Sequence, residues 1–184
     1  MEMIKTIGLI EFNSIAKGIE ATDFMVKAAA VELLFSKTIC PGKFVAMITG
    51  DVGAVKASIE TGNESGGAFV VDHLILPNVH SQVINALHGT SSVDNVNALG
   101  VMEYFSVAAA IVGADQAVKT AEVSLIEIRL GFGIGGKSFI TLTGDVSAVT
   151  EAVEMGIRDA KESGMLVYKT VIPSPRKELF HNLL

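Results

Sequence analysis

An internal repeat constrains the fold of this chain more than any other feature. IGLIEFNSIAKGIEATDFMVKAAAVELLFSK (7–37) aligns without gaps to LGVMEYFSVAAAIVGADQAVKTAEVSLIEIR (99–129), at an offset of 92. Gly8 meets Gly100, Glu11 meets Glu103, Ser14 meets Ser106 and Lys27 meets Lys119. Further on, TGDVGAVKASIETG (49–62) meets TGDVSAVTEAVEMG (143–156) at an offset of 94, and Pro77 meets Pro173 at 96. The first slip falls in the loops TICPGK and GFGIGGK. Two modules, 1–92 and 93–184, therefore fill the 184 residues, joined by the turn-rich stretch HGTSSVDNVNA (88–98).

Each copy reads the same way. TIGLIEF alternates as a strand does. Ser14 is placed to cap a helix running to Ala30, with Ile15, Ile19, Met25 and Val26 among its apolar positions. VELLFSKTI and FVAMIT form a hairpin about the turn CPGK. Asp51 is expected to cap a second helix from Val52 to about Thr61, with Gly62 at its end. The strand AFVVDHLIL closes the module. The order β-α-β-β-α-β predicts an α+β fold, a pair of ferredoxin-like split βαβ modules. Short helices are expected after each copy, near 80–87 and 176–183.

Composition narrows the function classes. Apolar residues make up 49% of the chain and charged residues 18%, with mean hydropathy +0.49. No run reaches the roughly 18 apolar residues of a membrane span, so no membrane is expected as partner. The excess lies in small apolar residues, which points to surface covered by other subunits. A net charge of −6 and the lack of a basic run argue against nucleic acid. The acid at Glu2 in an alternating start argues against a signal peptide, and one cysteine fits a reducing compartment.

GFGIGGKS (131–138) satisfies both the P-loop and the dinucleotide-binding patterns. Either motif needs a helix directly after it, because the helix N-terminus supplies the amides that hold phosphate. Here SFITLTGD follows, a β-branched and aromatic run that reads as a strand. The loop is therefore expected to join a hairpin, and a nucleotide-binding ferredoxin-like enzyme is the least favoured reading. No metalloprotease, C-x-x-C or nucleophile-elbow motif is present, and His73, His80, His88 and His181 show no metal-ligand spacing. His73, beside Asp72 in an apolar strand, suits a structural or interface role better than that of a base. Glu11 and Glu103 recur at equivalent strand positions, which suits structure better than acid–base chemistry. No catalytic residue emerges, and the chain is not expected to be an enzyme.

The tandem modules, MVKAA and AVKTA on the first helices, and PSPR after the last strand resemble the tandem-domain, trimer-forming class of bacterial microcompartment shell proteins. SKTICPGKF, FGIGGK and LVYKTVIPSPR look like the iron–sulfur type found in propanediol-utilising compartments. The resemblance covers the whole chain. It implies a homotrimeric, pseudo-hexagonal tile in a polyhedral shell in the bacterial cytoplasm, with other shell proteins and encapsulated redox enzymes as partners. It also implies tile-edge contacts through Lys27 and Lys119 on one side and Pro173 with Arg176 on the other; the first repeat has PNVH at that place, so its edge departs from the pattern.

The resemblance gives Cys40 its chemistry. One thiolate cannot hold an iron–sulfur cluster, which usually takes four ligands. Three Cys40 residues meeting on a three-fold axis are expected to hold one [4Fe–4S] cluster per trimer, for electron transfer or cluster delivery across the shell. Thr38, Ile39, Pro41, Gly42 and Lys43 would surround it, with Lys43 offsetting its charge if it points inward. Gly133, Ile134, Gly135 and Gly136, in the cysteine-free sister loop, would line or flank the centre. The competing reading is a metabolite pore with a free Cys40 at its rim.

Overall fold

The computed structural model describes residues 6–89 and 97–179. The linker residues 90–96, His181 and the second half of the helix expected over 176–183 lie outside them. The chain forms two compact units. The first contains β1 (Thr6–Phe12), α1 (Ile15–Ala28), β2 (Val31–Ile39), β3 (Lys43–Gly50), α2 (Val52–Gly66) and β4 (Val70–Pro77), together with Ser106–Ala108 and Gly131–Lys137. The second contains α3 (Ser81–His88), β5 (Ala98–Tyr104), the remainder of α4 (Val107–Thr120), β6 (Val123–Leu130), β7 (Ser138–Gly144), α5 (Val146–Gly156), α6 (Arg158–Glu162) and β8 (Leu166–Pro173).

In the first unit the antiparallel sheet runs β2-β3-β1-β4. That is the predicted ferredoxin-like order, with the split βαβ closed by β3 inserting beside β1. All seven residues of central strand β1 are buried, Glu11 included. A missing side chain lets α1 settle on the sheet: a Cβ at Gly18 would fall 2.5 Å from Phe44 on β3. Ser58 Oγ donates to the carbonyl of Met25 at 2.6 Å and ties α2 to α1.

Two local expectations are corrected here. Gly62 does not end α2; the helix continues to Gly66 and is capped by Gly67 at φ 53°. Gly62 instead lets the helix approach the sheet, since a Cβ there would lie 2.5 Å from Ile10 and 2.7 Å from Met25. The absence of a side chain serves packing, not chain reversal. Asp51 stands at the expected N-cap in extended conformation, but its side chain makes no capping bond. Ser14 does cap α1, accepting the Lys17 N–H at 3.4 Å. The last strand of the module starts at Val70, after a 3-10 turn over Gly67–Phe69.

The second unit repeats the sheet order as β6-β7-β5-β8. Its sister of Phe12 is Tyr104, fully buried, with its hydroxyl donating to the carbonyl of Gly156 at 3.0 Å. Burial pushes the Tyr104 hydroxyl well above the ordinary range. The helix expected at 80–87 forms one residue later, as α3, and lies along β6. Gln82 Nε2 donates to the Val123 carbonyl at 3.1 Å, and the Leu125 N–H donates to Gln82 Oε1 at 2.8 Å. An amide side chain thereby covers part of an otherwise open sheet edge.

Candidate metal centre and its paired loops

Cys40 sits at the tip of the β2–β3 hairpin, half-buried and free of disulfide. Pro41 and Gly42 are exposed beside it, and Gly42 takes φ 86°. The Gly42 N–H donates to the Ile39 carbonyl at 3.1 Å and closes the turn that CPGK predicts. Thr38 is exposed and Ile39 buried at the end of β2.

GFGIGGKS, which the sequence read as a hairpin loop, joins β6 directly to β7. No helix follows it, so there is no helix N-terminus to hold phosphate. Gly131, Gly133, Gly135 and Gly136 all take positive φ. The loop belongs to the first unit and lies on the cysteine turn. The Cys40 N–H donates to the Gly131 carbonyl at 3.1 Å. A Cβ on Gly136 would fall 2.2 Å from the Cys40 carbonyl oxygen and 2.7 Å from Pro41 Cδ. Gly133 and Gly135 are exposed and Ile134 half-buried. Gly136→Ala combines this backbone clash with φ 78°. It is expected to lower the midpoint stability by about 2 kcal/mol in denaturant titration.

Lys43 departs from the expectation that it offsets charge at Cys40. Its Nζ donates to Glu11 Oε1 at 2.7 Å, turning inward along the sheet. Glu11 Oε2 accepts the Val107 N–H at 2.8 Å, so one buried carboxylate pairs a cation and caps the first turn of α4. Burial is the largest influence on Glu11 and raises its carboxyl above the ordinary 4.5; Lys43 and the Val107 N–H act in the opposite direction. Beside Glu11 on β4, Asp72 accepts from the Ser106 hydroxyl. The structural reading of Glu11 therefore stands, while Glu103 is only half-buried. Lys37 is a cation beside the sister loop, 4.4 Å from the ring centroid of Phe35 and 4.8 Å from that of Phe132. Burial lowers its pKa. Sequence reasoning did not single out Lys37; the signal was its alternation with Phe35 on one strand.

Lys27 is exposed near the end of α1 and pairs with Asp23. Lys119 pairs with Asp115, which is buried and also accepts the His80 N–H at 2.8 Å. Pro173 and Arg176 are exposed. His73 is exposed on β4. Among the described residues no group of three or more His, Cys, Asp or Glu is arranged to hold a metal ion. No helix among them is long and apolar enough to cross a membrane.

The BMC domain family matches residues 6–79 and again 98–175. This chain belongs to the family of BMC-domain shell proteins. The BMC-domain chain is 49% identical over 182 residues to the bacterial microcompartment shell protein PduT of Citrobacter freundii, covering 99% of each chain. A crystal structure of a microcompartment protein from Desulfitobacterium hafniense DCB superposes with TM-score 0.84 at 52% identity, over 97% of this chain and 99% of that one. The fold is shared more distantly with a fused permuted hexameric shell protein, MSM0275, of the RMM microcompartment, at TM-score 0.64 and 23% identity over 88% and 87% of the two chains. The tandem BMC domains thus make this chain a structural protein of a microcompartment shell.

Proposed function

We propose that three copies of this shell protein form a trimeric tile whose three Cys40 thiolates hold one [4Fe–4S] cluster on the three-fold axis. The observation that carries this reading is the asymmetry of the paired loops. Each chain has one cysteine, at a hairpin tip, and its sister loop is glycine-rich and lacks a thiol. One chain cannot supply a ligand set, whereas a three-fold assembly multiplies one thiol into three.

The residues around Cys40 fit that group. The Cys40 and Gly42 amides are held by Gly131 and Ile39, which fixes the backbone on which the thiol is carried. The sister loop meets Cys40 with backbone and no side chain at Gly136, which keeps bulk away from the centre. Lys37 supplies positive charge near the loops, the role the sequence had given to Lys43. A bound cluster would accept and return one electron at a time. The tile would then pass electrons, or an intact cluster, through the shell to redox enzymes inside, and would do no catalysis of its own. Lys27, Lys119, Pro173 and Arg176 would join it to neighbouring shell proteins.

Anaerobic reconstitution with iron and sulfide, followed by size-resolved absorption spectroscopy, tests this. The charge-transfer absorption of a cluster is expected to travel with a particle of three times the 19.3 kDa chain mass. A colourless trimer would favour the second reading, a metabolite pore rimmed by free Cys40, and a monomer would remove both.

A further inference from the structure

The two modules treat one strand position differently. Lys37 on β2 and Arg129 on β6 are sisters at an offset of 92, and so are Phe35 and Glu127 two residues before them. Residues two apart on a strand share a face. In the second module the acid answers the cation: Arg129 donates to Glu127 Oε1 through Nε at 2.8 Å and through Nη2 at 2.5 Å. In the module that carries Cys40, phenylalanine stands where that acid would be.

Rings therefore hold Lys37 in place of a carboxylate. Its Nζ lies against Phe35 of its own strand and Phe132 of the sister loop. Among the described residues no acid pairs with it. Burial alone acts on its pKa, downward, because the water lost from the ammonium is not replaced by a counter-charge. Cys40 stands three residues further along the same hairpin arm. Phe132 directly follows Gly131, whose carbonyl accepts the Cys40 N–H at 3.1 Å. Neighbouring residues of one loop thus clamp the ammonium and fix the cysteine backbone. Lys43, on the other side of Cys40, is neutralised by buried Glu11.

Resting on the three-thiolate reading, we propose that Lys37 sets the electron affinity of the bound centre, and that Phe35 and Phe132 position it for that task. Reduction adds one electron, and so one negative charge, to a group already ligated by thiolates. An uncompensated cation beside it stabilises the reduced form more than the oxidised one and raises the reduction potential. Partial burial lengthens the reach of that charge, because less water lies between to screen it. A three-fold assembly repeats the cation three times around the axis. A glutamate at position 35, as at its sister Glu127, would cancel each lysine within its own chain. Phenylalanine there keeps the charge for the centre.

Mediator-coupled dithionite titration of the reconstituted trimer, read by electron paramagnetic resonance of the reduced state, tests this. Lys37→Met keeps the apolar stem and removes the charge. It is expected to hold the same iron and sulfide per trimer as the parent. Its affinity for the electron is expected to fall roughly tenfold, a drop of about 59 mV in midpoint potential for a one-electron couple. Lys37→Arg is expected to keep the parent value. Phe35→Glu rebuilds the sister pair with the lysine still present and is expected to lower the potential in the same direction; it supplies the decisive reading if Lys37→Met does not assemble. A cluster-bearing Lys37→Met trimer with the parent potential, or a shift that Lys37→Arg shares in full, overturns this inference and leaves the three-thiolate centre standing. A parent trimer that takes up no cluster overturns that centre and this inference with it.

Discussion

Replacing Lys43 by methionine is expected to cost about 3 kcal/mol of folding stability near neutral pH. Glu11 is fully buried and Lys43 is its cation. Removing one partner of a buried pair leaves the other charge without compensation, and the loss exceeds what the pair itself contributes. The pH dependence identifies the cause. Burial raises the Glu11 carboxyl above 4.5 in the folded chain, against the pull of Lys43 and the Val107 N–H. A group whose folded pKa is raised contributes stability that is fully present below its unfolded pKa and is lost as pH rises through the folded value. Without Lys43 the folded pKa moves higher still. The deficit of the variant should therefore be small near about pH 4, where Glu11 is protonated in both states, and grow as pH approaches about 7. Denaturant titrations of both chains across that range measure it. A deficit independent of pH would mean that Lys43 acts through packing alone.

That ion pair also marks where sequence reading stopped. The strand alternation and the Ser14 cap were legible because each is carried by residues close in sequence, and the tandem repeat because it is written directly in the residue order. The absence of a helix after GFGIGGKS was legible for the same reason, and it separated a hairpin loop from a phosphate loop. The recurrence of Glu11 at Glu103 read as structural, but its partners were hidden. Val107 lies 96 residues away, and nothing in a strand carboxylate names the helix that it will cap. Lys43 was placed by loop proximity to Cys40, whereas the fold turns it back along the sheet to Glu11. Gly62 misled because a glycine near a helix end looks like a cap until the neighbouring Ile10 and Met25 are seen. In the candidate site, the cysteine and its tight turn were readable. Its contact with Gly131 and Gly136 was not, because alignment placed the two loops as equivalents and gave no sign that they touch.

The second large effect concerns Cys40 itself. Its backbone is fixed by hydrogen bonds that a serine leaves intact, so Cys40→Ser should fold and assemble like the parent chain. What it removes is the thiolate, on all three copies at once. Serine offers an alkoxide-forming hydroxyl in its place, a poor ligand for iron at neutral pH. The loss of bound iron and sulfide should therefore be complete.

Counting iron and acid-labile sulfide against trimer mass, in anaerobically purified parent and Cys40→Ser chains side by side, addresses the proposed centre directly. About four iron and four sulfide per three parent chains are predicted, with neither above background in Cys40→Ser. An iron-free parent trimer after reconstitution, or a Cys40→Ser trimer that retains its iron, would contradict the three-thiolate centre.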